Sequence, residues 1–398
     1  MYEWFADARV NTCWNAVDRH VENGRGDQAA IIYDSPVTDT KRRITYAELL
    51  ERADAVAAAL ANAGVEPGAY VGVMAGRTPS VVPAILGVLR SGCAYVPIDP
   101  GYPTDRIHTI VEDSGISLLV QAGDAPAPDV GIKVLSVPEG ASASHASSPA
   151  RSTSDVAYAI FTSGSTGRPK GVAVTHANIV YSTQVRPQVY NHQPTSFLLL
   201  SSFAFDSSMV GLWWTLCSGG EIVLPDEGFH TDVDHLGELI HDRSVSHLLA
   251  IPSLYAVLLD EVGPGPLASL TTVMVAGEAC PANLIEAHHR SLPSTELHNE
   301  YGPTEASVWS HHHLFDAAYD SSRPVPIGRP LPGSTCLVID SDLAPVSIGQ
   351  PGELLLGDPG EYTHENRPGS TYRWTLPDGS FSEQQTVEVT ADDIVGFT

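Results

Sequence analysis

The segment YVGVMAGRTPSVVPAILGVLRSGCAYVPID, residues 70–99, decides the fold class. Residues 70–76 and 93–99 are short apolar runs that predict buried strands, and residues 80–92 between them predict a helix. The apolar runs are nearly continuous rather than alternating, which is typical of parallel strands covered on both faces. The segment therefore predicts a strand–helix–strand unit of a parallel, helix-covered sheet.

The same alternation continues in both directions along the chain. Upstream, residues 45–64 predict an amphipathic helix with a capping box at Thr45 and Glu48 and a stop at Gly64. Downstream, residues 104–115 predict another helix. Further apolar strands are predicted at 158–162, 196–202, 221–226, 246–252 and 270–277. We therefore predict an α/β fold with two mostly parallel, helix-covered sheets in an αβαβα arrangement.

The pattern changes after residue 326. Residues 334–340 and 352–357 are strands punctuated by Gly and Pro, which predict a small antiparallel sheet or barrel. Residues 124–155 are rich in Pro, Ala and Ser around one strand-like run, IKVLSV, and we interpret them as a surface connection. The predicted organisation is an N-terminal lead (1–45), an α/β region (46–325), a β-rich part (326–357) and a degenerate tail (358–398).

The amino-acid composition excludes several classes of function for this protein. The chain has 398 residues, of which 43% are hydrophobic and 7% aromatic, as in a large globular protein. Its formal net charge of −26 argues against binding to nucleic acid or anionic membranes, which attract clustered Lys and Arg. The five cysteines are scattered, with no CxxC pair, so they predict neither disulfides nor a zinc site. No signal peptide or membrane span is predicted, and we expect a cytoplasmic protein.

The strongest chemical signal is YAIFTSGSTGRPKGVAVTH, Tyr158 to His176. A buried strand leads into a loop of Ser, Thr and Gly residues that ends at Arg168 and Lys170. Glycines let the backbone direct its N–H groups at an anion, and the hydroxyls and the lysine add donors. The spacing does not match the Walker pattern. A merely flexible turn is the alternative, but the unbroken run of Gly, Ser and Thr after a strand favours an anion site.

This stretch resembles the phosphate loop of the adenylate-forming superfamily, which contains acyl-CoA synthetases, luciferases and the adenylation domains of nonribosomal peptide synthetases. NEYGPTEASVW, Asn299 to Trp309, is similar to the adenine and metal motif of that superfamily. AYVPIDPGYPTDRI, Ala94 to Ile107, resembles an early structural motif of the amino-acid adenylation domains in particular. VMVAGEAC and IGRPLPG fall at the remaining landmarks. The resemblance covers about residues 44–356 and is closest to the large N-terminal subdomain of an adenylation domain.

The resemblance implies a site for ATP and Mg²⁺. Tyr301 would stack on the adenine and Asn299 would hold its amino edge, while Thr304 would contact the α-phosphate and Glu305 would hold the metal. The implied catalytic residues are Thr162, Lys170, Thr304 and Glu305, because charge develops on oxygens when a carboxylate attacks the α-phosphorus. The residues implied to bind the nucleotide are Thr162, Ser163, Gly164, Ser165, Thr166, Gly167, Lys170, Gly277, Glu278, Ala279, Asn299, Tyr301, Gly302 and Thr304.

The segment SFAFDSSMVGLWW, residues 202–214, bears on the substrate. The resemblance places at Asp206 the carboxylate that pairs with a substrate α-ammonium group. A lone Asp after an apolar strand is otherwise more often a helix N-cap, and that alternative stays open. Glu300 is the unusual member of the implied side-chain pocket: it either selects a polar or basic side chain or faces solvent. The residues implied to contact the substrate are Phe205, Asp206, Ser207, Val210, Ala250, Met274, Ala276, Glu300, Val308 and Trp309.

Three consecutive histidines, His311 to His313, raise the question of a metal site. On a strand, His311 and His313 would share a face, but no carboxylate or cysteine is arranged around them. We interpret this segment as an edge strand that carries polar histidines.

Two regions depart from the adenylation-domain pattern. Residues 1–46 resemble the start of acetyl- and propionyl-CoA synthetases. After Asp358 there is no Thr-Gly-Asp, the motif that grips the ribose, and the mobile C-terminal domain that supplies a lysine in this superfamily has no counterpart. The lysines of the chain are Lys41, Lys133 and Lys170. The resemblance therefore implies weak or incomplete catalysis by this chain.

The sequence favours an adenylate-forming ligase that activates an amino acid as aminoacyl-AMP and releases pyrophosphate. Two alternatives stay open: a catalytically inactive binding protein with the same fold, and an acyl-CoA synthetase-like enzyme that activates a short carboxylic acid. Asp206 favours an amino acid over a simple carboxylic acid as the substrate. The implied partners are this substrate and a peptidyl or acyl carrier protein or a complementing C-terminal domain.

Overall fold

A computed structural model describes residues 9–37, 39–121, 129–136, 151–163, 168–340, 342, 344–347 and 350–357, and the backbone of 372–375 and 381–384. The strands are β1 Arg9–Val10, β2 Ala29–Ser35, β3 Thr40–Thr45, β4 Tyr70–Met74, β5 Ala94–Ile98, β6 Leu118–Gln121, β7 Lys133–Ser136, β8 Arg151–Ser152, β9 Val156–Ser163, β10 Pro169–Thr175, β11 Ser196–Leu199, β12 Glu221–Pro225, β13 His247–Ala250, β14 Thr272–Val275, β15 Glu296–Tyr301, β16 His311–Phe315, β17 Arg329–Pro330, β18 Thr335–Ile339, β19 Glu353–Gly357, β20 Tyr372–Thr375 and β21 Phe381–Gln384.

The helices alternate with these strands. The α-helices are α1 Tyr46–Asn62, α2 Val81–Arg90, α3 Thr104–Ser114, α4 His176–Gln184, α5 Arg186–Val189, α6 Thr215–Ser218, α7 Val233–Asp242, α8 Pro252–Val257 and α9 Ala282–Ser291. The shorter π-helical and 3₁₀ segments are Trp14–Asp18, Val21–Arg25, Val210–Trp214, Phe229–Thr231, Leu258–Val262, Pro266–Ser269 and Thr304–Ala306. The first long helix begins as predicted, with Thr45 and Glu48 forming a reciprocal capping box.

Two large sheets form the body of the protein. The first has six strands in the order β10–β9–β5–β4–β6–β7, and all neighbours except β10 and β9 run parallel. The second has nine strands in the order β17–β16–β15–β14–β13–β11–β12–β2–β3. Its six central strands are parallel, and antiparallel strands close both edges.

The buried side chains show how the layers stack. Tyr95 of β5 and Leu199 of β11 share one hydrophobic cluster with residues of α1 and α2, so this cluster lies between the two sheets. Val96, the next residue along β5, packs outward in a separate cluster with α3. Leu248 of β13 packs outward from the second sheet in a cluster with α7 and α9. Helices therefore lie between and outside the sheets, which confirms the predicted αβαβα arrangement.

The smaller elements agree with the sequence in most places. β18 and β19 pair antiparallel as predicted, whereas β17 joins the edge of the nine-stranded sheet beside β16. β7 confirms the strand predicted inside residues 124–155, and β20 and β21 form a hairpin within the predicted tail. The rest of that tail lies outside the described residues. No helix in the described part of the chain is long and apolar enough to cross a membrane.

Candidate active site

The predicted site residues outside the phosphate loop lie mostly at or near the carboxyl ends of parallel strands of the nine-stranded sheet. The chain leaves β11 toward Asp206, and β14 ends at Val275, two residues before Gly277. β13 ends at Ala250 and β15 ends at Tyr301. Because neighbouring parallel strands end at one edge of a sheet, motifs that are far apart in the sequence meet there.

The predicted phosphate end is an exposed hairpin. β9 and β10 pair antiparallel with Thr162 opposite Lys170, and the Thr162 hydroxyl lies 3.4 Å from the Lys170 carbonyl oxygen. Lys170 Nζ lies 3.3 Å from Glu305 Oε1, with side chains 66% and 51% exposed. The structure therefore brings together the lysine and the carboxylate of two motifs. The Ser163 side chain and residues 164–167 lie outside the described part of the chain.

The predicted adenine end has an exposed ring and a fixed amide. Tyr301 is 40% exposed, and its ring packs edge-on against His311. Asn299 is buried, and its Nδ2 donates to the Pro326 carbonyl at 2.9 Å, which leaves Oδ1 as an acceptor. Gly302 has no room for a side chain, because a Cβ there would lie 2.5 Å from Trp309 Cα.

Residues 277–279 form an exposed turn shortly after β14. Gly277 has φ +84°, which favours glycine. The carboxylate of Glu278 accepts hydrogen bonds from the backbone N–H and the hydroxyl of Ser253, at 3.2 and 3.1 Å. The negative charge of Glu278 therefore lies at the N-terminus of α8, where the helix dipole favours an anion.

Asp206 is a half-buried carboxylate in the segment predicted to contact the substrate. Burial raises the pKa of Asp206 above its usual value, while hydrogen bonds from the Thr304 hydroxyl and the Ser207 N–H oppose that rise. Within the described residues no Lys, Arg or His forms an ion pair with it. An N-cap carboxylate accepts from an N–H two or three residues further on. The Thr304 hydroxyl, which is the predicted phosphate contact and lies on a different element, instead opposes the rise of the Asp206 pKa.

Glu300 is buried inside the protein, so the expectation that it faces solvent is wrong. Its Oε1 lies 2.7 Å from Arg186 Nη1, and both side chains are 2% exposed. The Tyr190 hydroxyl also donates to this carboxylate. Burial alone would raise the pKa of Glu300, but Arg186 and Tyr190 together hold it below its usual value. Sequence reasoning missed Arg186, because it lies 114 residues from its partner and carries no local signal.

A small cavity opens beside this pair, with room for about one water molecule. Arg186, Met209, Trp213 and Val308 contribute to its wall, as does Tyr158, whose pKa is raised by burial and by the charge of Asp206. Val308 has φ +87°, a strained conformation for a β-branched residue. The cavity therefore lies between Arg186 and Tyr158, and the charge of Asp206 acts on the latter.

The other predicted pocket residues divide between the two faces of the sheet. Val210 and Met274 are buried in the cluster between the sheets, as are Trp213 and Trp309. Ala250 packs instead in the outer cluster with Val275, its register partner on β14. Ser207 and Ala276 are half-buried, and Phe205 is 55% exposed. The structure thus brings most of these residues to one face and places Ala250 on the other.

The histidine-rich strand β16 contacts the predicted pocket residue Trp309 through the ring of His312. β16 pairs with β15 along its length and with β17 only at His311 and His312. His298 Nδ1 lies 2.6 Å from His312 Nε2, and burial lowers their pKa values to about 3 and about 4. No group of three or more His, Cys, Asp or Glu within the described ranges could hold a metal ion.

The fold and these motifs define the class of protein. The family of AMP-binding enzymes matches residues 17–362, and the chain belongs to this family. It is 38% identical over 343 residues to bacitracin synthase 3 of Bacillus licheniformis, a match that covers 85% of this chain and 5% of that protein. It is 36% identical over 356 residues to phosphinothricin tripeptide synthetase PhsB of Streptomyces viridochromogenes, covering 86% and 29%. The chain thus spans a small part of these nonribosomal peptide synthetases.

Solved structures give the same assignment. The N-terminal subdomain of NpsA from Klebsiella oxytoca, in complex with 3-hydroxybenzoyl-AMSN, matches with a TM-score of 0.76 and 25% identity, covering 95% of this chain and 96% of that one. The AMPPNP-bound form of the nonribosomal peptide synthetase FmoA3 matches with a TM-score of 0.78 and 26% identity, covering 95% and 43%. The predicted relationship to adenylation domains is therefore confirmed. The resemblance of residues 1–46 to acyl-CoA synthetases stays a prediction.

Proposed function

We propose that this chain binds ATP and an amino acid and activates the amino acid as aminoacyl-AMP. The observation that carries the proposal is Asp206, a half-buried carboxylate whose pKa is raised by burial and which forms no ion pair with a cationic side chain among the described residues. A buried carboxylate is costly unless a positive group pairs with it. A substrate α-ammonium group would supply that charge and would hold the substrate carboxylate next to the YGPTE segment.

The exposed residues at the other end suit the nucleotide. The Lys170 ammonium group and the Thr162 hydroxyl can donate to phosphate oxygens, and the open face of Tyr301 can stack on adenine. The Glu305 carboxylate is more than half exposed and is of the hard oxygen type that Mg²⁺ prefers. Bound Mg²⁺ would neutralise charge on the phosphate oxygens.

The proposed step is an in-line displacement. A substrate carboxylate oxygen bonds to the α-phosphorus, the bond from that phosphorus to the bridging oxygen breaks, and pyrophosphate leaves with the electron pair. Asp206 orients the nucleophile, while Lys170, Thr162 and Thr304 stabilise the charge that builds on phosphate oxygens.

We further propose that the activated acyl group passes to a carrier protein. The relatives are peptide synthetases, and one similar solved structure is a fused adenylation–PCP di-domain containing NpsA. All five cysteines are free, which fits a reducing cytoplasm as the place of the reaction.

ATP–pyrophosphate exchange with a panel of amino acids tests this function. We expect the 398-residue polypeptide to exchange slowly alone and faster when a C-terminal domain of a related enzyme is added. The reason is that the added domain would supply a lysine, and one preorganised donor of this kind contributes about 10²–10³ in rate. Asp206→Asn is the matched variant. Its rate of ATP–pyrophosphate exchange should no longer rise when an amino acid is added. If no amino acid supports exchange even with the added domain, the proposal is wrong. Robust exchange by the polypeptide alone would show that no further lysine is needed.

A further inference from the structure

Arg77 is a buried residue whose guanidinium group contacts the nine-stranded sheet where two of its parallel strands end. It lies three residues after β4 of the six-stranded sheet and is 4% exposed. Its Nε donates to the Pro225 carbonyl at the end of β12, at 3.0 Å. Its Nη1 donates to the Leu200 and Ser201 carbonyls at 3.0 and 3.1 Å, and its Nη2 donates to the Leu199 carbonyl. One side chain of the six-stranded sheet therefore satisfies the backbone carbonyls at the ends of β11 and β12.

This arrangement depends on the shape of an arginine. The guanidinium group is planar and has five N–H donors in a fixed fork, so it can span two strands, whereas a lysine ammonium group donates from a single point. The backbone N–H of Arg77 also donates to Glu227 Oε1 at 2.7 Å, and the guanidinium carbon lies 4.8 Å from the centroid of the Phe229 ring. Burial lowers the pKa of Arg77 to about 10, while the charges of Glu227 and Asp226 oppose that change, so the group stays charged at neutral pH.

A second contact from the six-stranded sheet holds the next residue along the chain. Asp99 directly follows β5, the neighbour of β4, and its Oδ2 accepts from the Ser202 hydroxyl at 2.8 Å. The other oxygen, Oδ1, accepts from the Gly101 N–H at 2.9 Å, which fixes the carboxylate. Ser202 also bonds within its own turn, since its Oγ accepts from the Ala204 N–H at 3.3 Å and its carbonyl from the Phe205 N–H at 3.0 Å. The six-stranded sheet thus sets the path of the chain from the end of β11 to residue 205.

We propose that Arg77 and Asp99 are positioning residues for Asp206. Asp206 is the next residue along this path, and its own carbonyl accepts from the Met209 N–H at 2.8 Å. A carboxylate that pairs with a substrate ammonium group must be held to within about 0.5 Å of its productive position. The six-stranded sheet therefore acts on substrate recognition through the backbone of residues 199–205. The inference rests on the proposed function and adds the residues that hold its substrate-binding carboxylate in place.

Two ligands that differ only in the α-ammonium group test the inference. Calorimetry on the full chain near pH 7 measures the dissociation constants of a non-hydrolysable aminoacyl-adenylate analogue, of its des-amino counterpart and of MgATP. In Arg77→Lys we expect the preference for the amino compound to fall at least about fivefold, because a misplacement of about 1 Å can cost as much as about 10²-fold. The affinity for MgATP should stay unchanged, since its proposed contacts come from the β9–β10 hairpin and from residues 299–305.

A second variant and a second measurement examine the path itself. Ser202→Ala removes the contact with Asp99 and keeps Arg77, so it should lower the preference for the amino compound less than Arg77→Lys does. Hydrogen exchange followed by mass spectrometry should show faster amide exchange within residues 199–206 in Arg77→Lys. Unchanged exchange in that variant would show that Arg77 does not hold this path, and the inference would be wrong.

The same substitution at another buried arginine is the matched control. Arg90 is 2% exposed and donates to Asp18 and Asp54. Arg90→Lys should therefore reduce the stability of the protein and leave the preference for the amino compound unchanged. If Arg90→Lys lowers this preference as much as Arg77→Lys does, the effect is one of general stability and the inference is wrong.

The outcomes separate this inference from the proposed function. If wild type prefers the amino compound and the folded Arg77→Lys and Ser202→Ala variants keep the full preference, the inference is wrong and the proposed function stands. If wild type does not prefer the amino compound, the proposed function fails and the inference fails with it. Where Arg77→Lys does not fold, the preference measured for Ser202→Ala decides.

Discussion

The two ends of the candidate site each contain one ion pair, in opposite environments. Lys170 and Glu305 lie 3.3 Å apart with side chains 66% and 51% exposed, whereas Arg186 and Glu300 lie 2.7 Å apart and are 2% exposed. Water screens the first pair, so phosphate and metal can replace its contacts at little cost. The second pair is surrounded by Trp309, Trp214 and Tyr190, so neither charge can be released without a large penalty. The exposed end is therefore suited to binding and releasing ligands. The buried end instead keeps a fixed shape and a fixed arrangement of charge.

The largest effect should come from breaking the buried pair. Arg186→Met leaves the Glu300 carboxylate buried without its cation, and we expect a loss of about 3–5 kcal/mol in the free energy of unfolding. Urea denaturation followed by tryptophan fluorescence measures this loss. The double variant Arg186→Met/Glu300→Met should regain most of it. A single variant as stable as wild type would show that the pair does not hold this end of the site together.

The second-largest effect should come from acid, which should destabilise the buried end of the site. Burial lowers the pKa of His312 to about 4, and the neighbouring His298 has a pKa of about 3. Between these values and about 6.5 the unfolded chain binds more protons than the folded one, so stability falls as the pH falls through this window. The expected cost is on the order of 2 kcal/mol for one such histidine.

Thermal unfolding between pH 7 and pH 5 checks this expectation. His312→Gln should lose less stability across the window than wild type does, and the exposed His241→Gln is the matched control for loss of an imidazole. Equal pH profiles for wild type and His312→Gln would contradict the proposed cause.

The smallest effect on stability should come from breaking the exposed pair. Lys170→Ala should change the free energy of unfolding by less than about 1 kcal/mol, because such pairs contribute little. The same variant should weaken MgATP binding at least about tenfold if Lys170 contacts phosphate, since a charge-assisted bond is lost. Isothermal calorimetry measures the affinity, with Lys133→Ala, an exposed lysine on β7, as control. Equal MgATP affinities for wild type and Lys170→Ala would remove this lysine from the site.

The same contrast explains how much the sequence could predict. The α1 capping box and the strand–helix–strand unit of residues 70–99 follow from local spacing, and both were predictable. β10 was not predicted, although its buried Val172 and Val174 alternate with exposed residues as in a half-covered strand. The Arg186–Glu300 pair had no such signal, because its partners come from α5 and β15 and meet only through the tertiary fold. The position of Ala250 on the other face depends likewise on strand register.

Recognition of an α-ammonium group by Asp206 is the central claim, and one calorimetric comparison tests it most directly. A non-hydrolysable aminoacyl-adenylate analogue with an uncharged side chain is titrated into wild type and Asp206→Asn, in parallel with the matching des-amino analogue. We predict that wild type binds the amino compound about 10–100-fold more tightly, since the des-amino compound leaves the half-buried Asp206 carboxylate without a partner, and that Asp206→Asn abolishes this difference. Equal affinities in wild type, or a preference for the des-amino compound, would contradict the claim and would favour an enzyme that activates a simple carboxylic acid.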